Sequence, residues 1–129
     1  MHDEQTDRAT AGIPPDRERL AGILMLAAAA ASIVFVAIDP VATGSDARAI
    51  LQSMASNAPT HRLVHAVEMA CIFARAFGMT SLANRLGQHR PAVRAGCIAY
   101  LAGSVLMLGA TVVDGFITGD AASYFLGAG

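Results

Sequence analysis

Residues 20–38, LAGILMLAAAAASIVFVAI, run for nineteen positions without a charged side chain. A helix of that length reaches roughly 29 Å, the thickness of a bilayer's hydrocarbon core. Asp39-Pro40 then stops it, because proline cannot continue a helix and restricts the residue before it. A cleaved signal peptide is the competing reading. The run exceeds a usual signal h-region, and the stretch before it, residues 1–19, is long and acid-rich, so a retained transmembrane helix is expected. Residues 1–19 hold a Pro-Pro pair and little apolar content; they are expected to be a disordered tail, with Asp16 capping the following helix.

Composition extends this reading to the whole chain. Of 129 residues 54% are hydrophobic and 15% charged, where a soluble domain carries about 25% charged residues. The net charge is −1, which gives nucleic acid no electrostatic reason to bind. Cys71 and Cys97 lie in apolar segments and form no C-x-x-C pair, so they are read as small buried hydrophobes rather than a disulfide framework.

Two more long apolar segments follow, at about 61–82 and 92–117. Between the first and second spans, residues 39–60 are read as a loop. It contains a short helix at about 46–56, started by Ser45 or Asp46, whose Ala47, Ile50, Leu51 and Met54 form one apolar face suited to the membrane interface. The terminal AASYFLGAG is apolar enough to begin a fourth span. The arginines decide whether the weakest segment, 61–82, crosses. Arg8, Arg17 and Arg19 precede the first span; Arg48 and Arg62 follow it; Arg85, Arg90 and Arg94 follow the second; none follows the third. Three crossings make this alternation obey the positive-inside rule, with a cytoplasmic N-terminus and an external C-terminus. The expected fold is therefore an all-α integral membrane bundle of three transmembrane helices, 20–129, in a bacterial inner membrane.

The second segment carries the polar residues that invite a function. At 100° per residue, His61, His65, Glu68 and Arg75 fall within an arc of roughly 80°. Ile72 and Met79 complete that stripe, and Val64, Val67 and Phe77 are assigned to the lipid side. An arginine at mid-bilayer costs about 2.5–3.5 kcal/mol on insertion scales, so the stripe should turn inward. Glu68 and Arg75 stand about 10 Å apart along the axis, so no direct pair is expected between them. The third segment offers a seam of Cys97, Tyr100, Ser104, Met107, Thr111 and Asp114, flanked by Gly96, Gly103 and Ala110. Its hydroxyls are expected to bond across the helix pair. Antiparallel packing sets Arg75 near Tyr100 and Ser104, and His61 to Glu68 near Thr111 and Asp114.

His61-x-x-x-His65 places two imidazoles one turn apart, within reach of one ion. Glu68 could join them, with Asp114 or Asp39 from a neighbouring helix. Nitrogen and oxygen donors of this kind favour zinc, with iron, manganese or copper as rivals. The competing reading, ranked first, is structural polar packing, with Thr60 or Asp39 satisfying His61, and with His65 and Glu68 hydrogen-bonding between helices. The stretch resembles membrane di-iron oxygenases, and membrane hydrolases with a zinc site, only in this single motif. The remaining histidines, His2 and His89, supply no further box. H-E-x-x-H, phosphate-binding loops and a nucleophile elbow are absent, and no G-x-x-x-G falls inside the three spans. Three functions remain. The first is a non-enzymatic subunit or assembly factor, homo-oligomeric or within a larger membrane complex. The second is a metal-binding protein, hydrolase or metal carrier, using His61, His65, Glu68 and Asp114. The third is a proton or ion conductor along Glu68 and Arg75.

Overall fold

The computed structural model describes residues 15–127. These residues form α1 (Pro15–Ile38), α2 (Ala47–Leu86), α3 (Pro91–Val112), a π-helical turn (Val113–Ile117) and α4 (Thr118–Gly127), with no strand among them. Three helical stretches, Glu18–Ile38, Ala47–Leu86 and Pro91–Gly127, are long and apolar enough to cross a membrane. Most of the expected tail, residues 1–14, lies outside the described residues; 15–19 are already helical, so Asp16 sits in the first turn of α1 rather than at its cap.

The expected loop at 39–60 is largely absent. Only residues 39–46 link α1 to α2, and the short helix at about 46–56 is the opening of α2, which continues without a break for 40 residues, about 60 Å. Asp46 caps it, accepting a hydrogen bond from the Ala49 amide at 2.9 Å. Asn57-Ala58-Pro59 reads as a stop in sequence because Pro59 cannot supply the amide that would bond one turn back. The helix persists because α4 packs on that turn: Ala58 is buried, and a methyl at Gly119 would stand 2.7 Å from the Ala58 Cβ.

The end of the chain departs from expectation in the same way. AASYFLGAG starts no fourth span; up to Gly127 it extends the third helix. The π turn joins the two parts: the Thr118 amide reaches back five residues to the Val113 carbonyl, and the Thr118 hydroxyl donates to the Asp114 carbonyl. With the helix extended, Gly115 and Gly119 become a G-x-x-x-G pair inside it. Thr111, Gly115, Gly119 and Ala122 form the buried small-residue stripe facing α2.

α2 is the middle element. α1 packs along one side of it, and α3 with α4 along the other; α1 and α3 share no contact. The α1 seam is Ala21, Met25, Ala28 and Ser32, spaced four, three and four residues apart, with Gly78 of α2 accepting Met25 and the Ala21 carbonyl in place of a side chain. Being flanked twice widens the buried arc of α2. Val64, assigned to lipid from the sequence, is 2% exposed, whereas Phe73 and Phe77 do face outward. The α3 seam is used only in part. The Ser104 and Thr111 hydroxyls bond the Tyr100 and Met107 carbonyls of their own helix at 2.9 and 2.8 Å, not across the pair. Gly96 and Gly103 have nothing within 4 Å of where a Cβ would stand.

Candidate metal centre

The polar residues converge where α1 ends. Asp39 leaves α1 just after Ile38, His61 and His65 stand one turn apart on α2, and Asp114 opens the π turn on the opposite side. The His61 and His65 rings lie 4.2 Å apart, edge to face. One ligand atom from each of Asp39, His61 and His65 lies within 4.8 Å of the other two. Asp114 spans both rings: its Oδ1 is 3.7 Å from His61 Nε2, and its Oδ2 is 3.2 Å from His65 Nε2.

Each carboxylate is hydrogen-bonded to one of the two histidines. Tetrahedral donors at 2.0–2.2 Å from an ion stand roughly 3.3–3.6 Å from one another. His61 Nε2 and Asp114 Oδ1, at 3.7 Å, stand at about that spacing, whereas His65 Nε2 and Asp114 Oδ2, at 3.2 Å, are hydrogen-bonded. His61 Nδ1 and Asp39 Oδ1 are 2.8 Å apart, which is a hydrogen bond. An ionised Asp39 can only accept, which puts a proton on His61 Nδ1; Nε2 is the ring nitrogen that faces Asp114. A carboxylate holding the far nitrogen of a ligating histidine is a common support of metal sites. Asp39, His61, His65 and Asp114 are thus the groups that could hold an ion here, Asp39, His61 and His65 having one ligand atom each within 4.8 Å of the others. His65 Nδ1 is buried without a partner, so this ring lacks such support.

Backbone geometry brings His65 this close. A methyl on Gly115 would overlap the Cβ and ring of His65, so only glycine lets the π turn seat against that histidine. A π turn also rotates the residues after it relative to an unbroken α-helix, a distortion often found at functional sites. Beside the site opens a pocket of about 260 Å³ lined by Asp39, Met54, Asn57, His61, Asp114 and Thr118, among others.

Glu68, expected among the ligands, lies apart from them. Its Oε2 accepts a hydrogen bond from Ser32 of α1 at 3.1 Å and is 3.8 Å from Arg75 Nη2, while Oε1 is buried without a partner. The Glu68–Arg75 contact was not expected from two turns of axial separation. Two long side chains leaning toward each other close the distance. As expected from antiparallel packing, Arg75 shares a groove with Tyr100 and Ser104. Sequence reasoning missed Ser32, which is unremarkable in an alanine run until the four-three spacing of the α1 seam is followed. It missed Gly115, whose G-x-x-x-G partner lay beyond the assumed end of the span. Arg62, paired with Asp120, and Arg85, 3.5 Å from Glu18, also found partners that sequence alone did not assign.

No family model matches this chain, and no curated protein or solved structure shows significant similarity to it.

Proposed function

We propose that this chain is a three-span protein of a bacterial inner membrane that binds a divalent transition metal, zinc in the first instance, at its outer rim. The observation that carries the reading is the convergence of two Nε2 atoms from one turn of α2 on the two oxygens of Asp114. Three protein donors leave a fourth position free, as in sites that exchange a ligand or activate water rather than serve only as structural staples. The neighbouring pocket supplies the route to that position. Two imidazoles and a carboxylate suit zinc, and would hold copper more tightly wherever copper is available.

The membrane part of the reading rests on three apolar helices and on the arginine alternation, which sets the N-terminus in the cytoplasm and the metal site outside. The exposed surface fits a lipid surround, since Leu26, Ile33, Val36, Val105 and Leu106 are each well over half exposed. Metal analysis of the detergent-purified chain tests the proposal. Stoichiometric zinc is expected in the parent and loss of it in His61→Ala and His65→Ala. Absence of stoichiometric zinc, cobalt or copper after incubation with each ion overturns it.

A second reading, membership in a larger membrane assembly, is favoured by the bare face of α3, whose glycines at 96 and 103 meet nothing in the described residues.

A further inference from the structure

Arg75 lies within the second apolar span, and no hydrogen bond from its guanidinium is found among the described residues. Its guanidinium carries five N–H donors. Among the described residues its one ionic neighbour is Glu68 Oε2 at 3.8 Å, beyond hydrogen-bond reach, and that oxygen already accepts from Ser32. The side chain is 28% exposed, and the space it is exposed to is a groove of about 310 Å³ between α2 and α3. Ile72, Tyr100, Gly103, Ser104 and Met107 line that groove, and the Ser104 hydroxyl spends its proton on its own helix.

Depth narrows what can fill it. Arg75 stands seven residues inside the end of the 61–82 span, about 10 Å along the axis and within a core roughly 30 Å thick. A lipid phosphate sits at the interface and does not reach that level. Shape narrows it further. Gly103, on the groove wall, offers a face with nothing within 4 Å, and Gly96 lies seven residues away on the same face. Small residues at such spacing let another helix backbone approach closely. A second copy of this chain does not supply the missing charge. Its carboxylate nearest this depth is Glu68, engaged with its own Ser32 and Arg75, whereas Asp39 and Asp114 belong to the rim.

We infer that the α2/α3 groove docks a transmembrane helix of a different polypeptide, one that presents an Asp or Glu to Arg75 within the hydrocarbon core and packs on Gly103. The inference rests on the membrane reading above and is independent of the metal. A buried carboxylate opposite a planar guanidinium gives charge-assisted, two-point recognition, which lysine reproduces only in part.

The test uses the full chain in phosphatidylcholine vesicles, with Cys71 and Cys97 replaced by alanine and a donor fluorophore on cysteine introduced at the exposed turn residue Gln88. The probe is an acceptor-labelled synthetic helix of leucine and alanine bearing one central Glu; its twin has Leu there. Energy transfer is expected to show the Glu helix associating at least about tenfold more tightly than its twin, a difference of about 1.4 kcal/mol. Arg75→Gln is expected to abolish the preference and Arg75→Lys to keep part of it. Gly103→Leu is expected to weaken association while zinc binding at the rim is unchanged, which separates docking from general misfolding. Equal association of the two helices, or a preference that survives Arg75→Gln, overturns the inference. Failure of the chain to float with the vesicles removes the membrane reading and the docking with it. Loss of zinc binding alone touches only the metal proposal.

Discussion

Asp39→Asn separates an orienting carboxylate from a ligating one. In the parent, Asp39 Oδ1 holds His61 Nδ1 at 2.8 Å, with the two side chains 25% and 19% exposed. A hydrogen bond to a charged group contributes about 1.5–3 kcal/mol, and partial exposure puts this one toward the lower end. Asparagine keeps an oxygen acceptor for Nδ1–H and removes the charge, roughly half of that contribution. At about 1.4 kcal/mol per tenfold, zinc affinity should fall by about 3- to 10-fold. Asp39→Ala removes the acceptor as well, and the expected loss grows to about 10- to 100-fold, the range seen for outer-shell partners of metal ligands. Zinc competition against a fluorescent chelator, in detergent near neutral pH, measures both, with helical content by circular dichroism confirming the fold. The reasoning is refuted if asparagine weakens binding as severely as His61→Ala, which would make Asp39 a ligand in its own right. It is equally refuted if alanine changes nothing.

Three further outcomes follow from the geometry. Gly115→Ala forces a methyl into His65; overpacking of this kind costs about 1–3 kcal/mol, so a lower thermal midpoint and weaker zinc binding are expected together. Gly96→Ala meets nothing and should leave both unchanged or raise the midpoint slightly, so equal damage by the two substitutions would discount the role given to the π turn. Imidazoles ligate only when neutral; acidifying from about pH 7.5 to about 5.5 should therefore weaken zinc at least about tenfold, and pH-independent titration curves would argue against histidine ligation. A cysteine introduced at the exposed turn residue Gln88, with Cys71 and Cys97 replaced by alanine, should be shielded from an impermeant thiol reagent in intact cells and react after lysis. Equal labelling in both states would invert or abolish the proposed threading.

The sequence showed the parts of this fold that follow from helical period and length. The runs at 20–38, 61–82 and 92–117 lie inside the helices found, and the antiparallel neighbours of Arg75 and His65 were set by counting turns. Where helices stop proved harder to read. Asn57-Ala58-Pro59 and Gly119 carry local signals for an end, but burial of Ala58 against Gly119 outweighs them, because packing between helices can exceed propensity within one. Val64 was placed on the wrong side because one helix face was assumed to suffice for α2, when a central helix needs two. For the site, His61, His65 and Asp114 could be brought together by topology, while the separate fate of Glu68 depended on Ser32, a hydroxyl on another helix that no spacing within α2 could announce.

α1 and α3 each pack on α2 and not on one another, so what links the outer two helices runs through that central spine. An ion held by His61, His65 and Asp114, with Asp39 gripping the same imidazole from behind, would rivet all three at a single level.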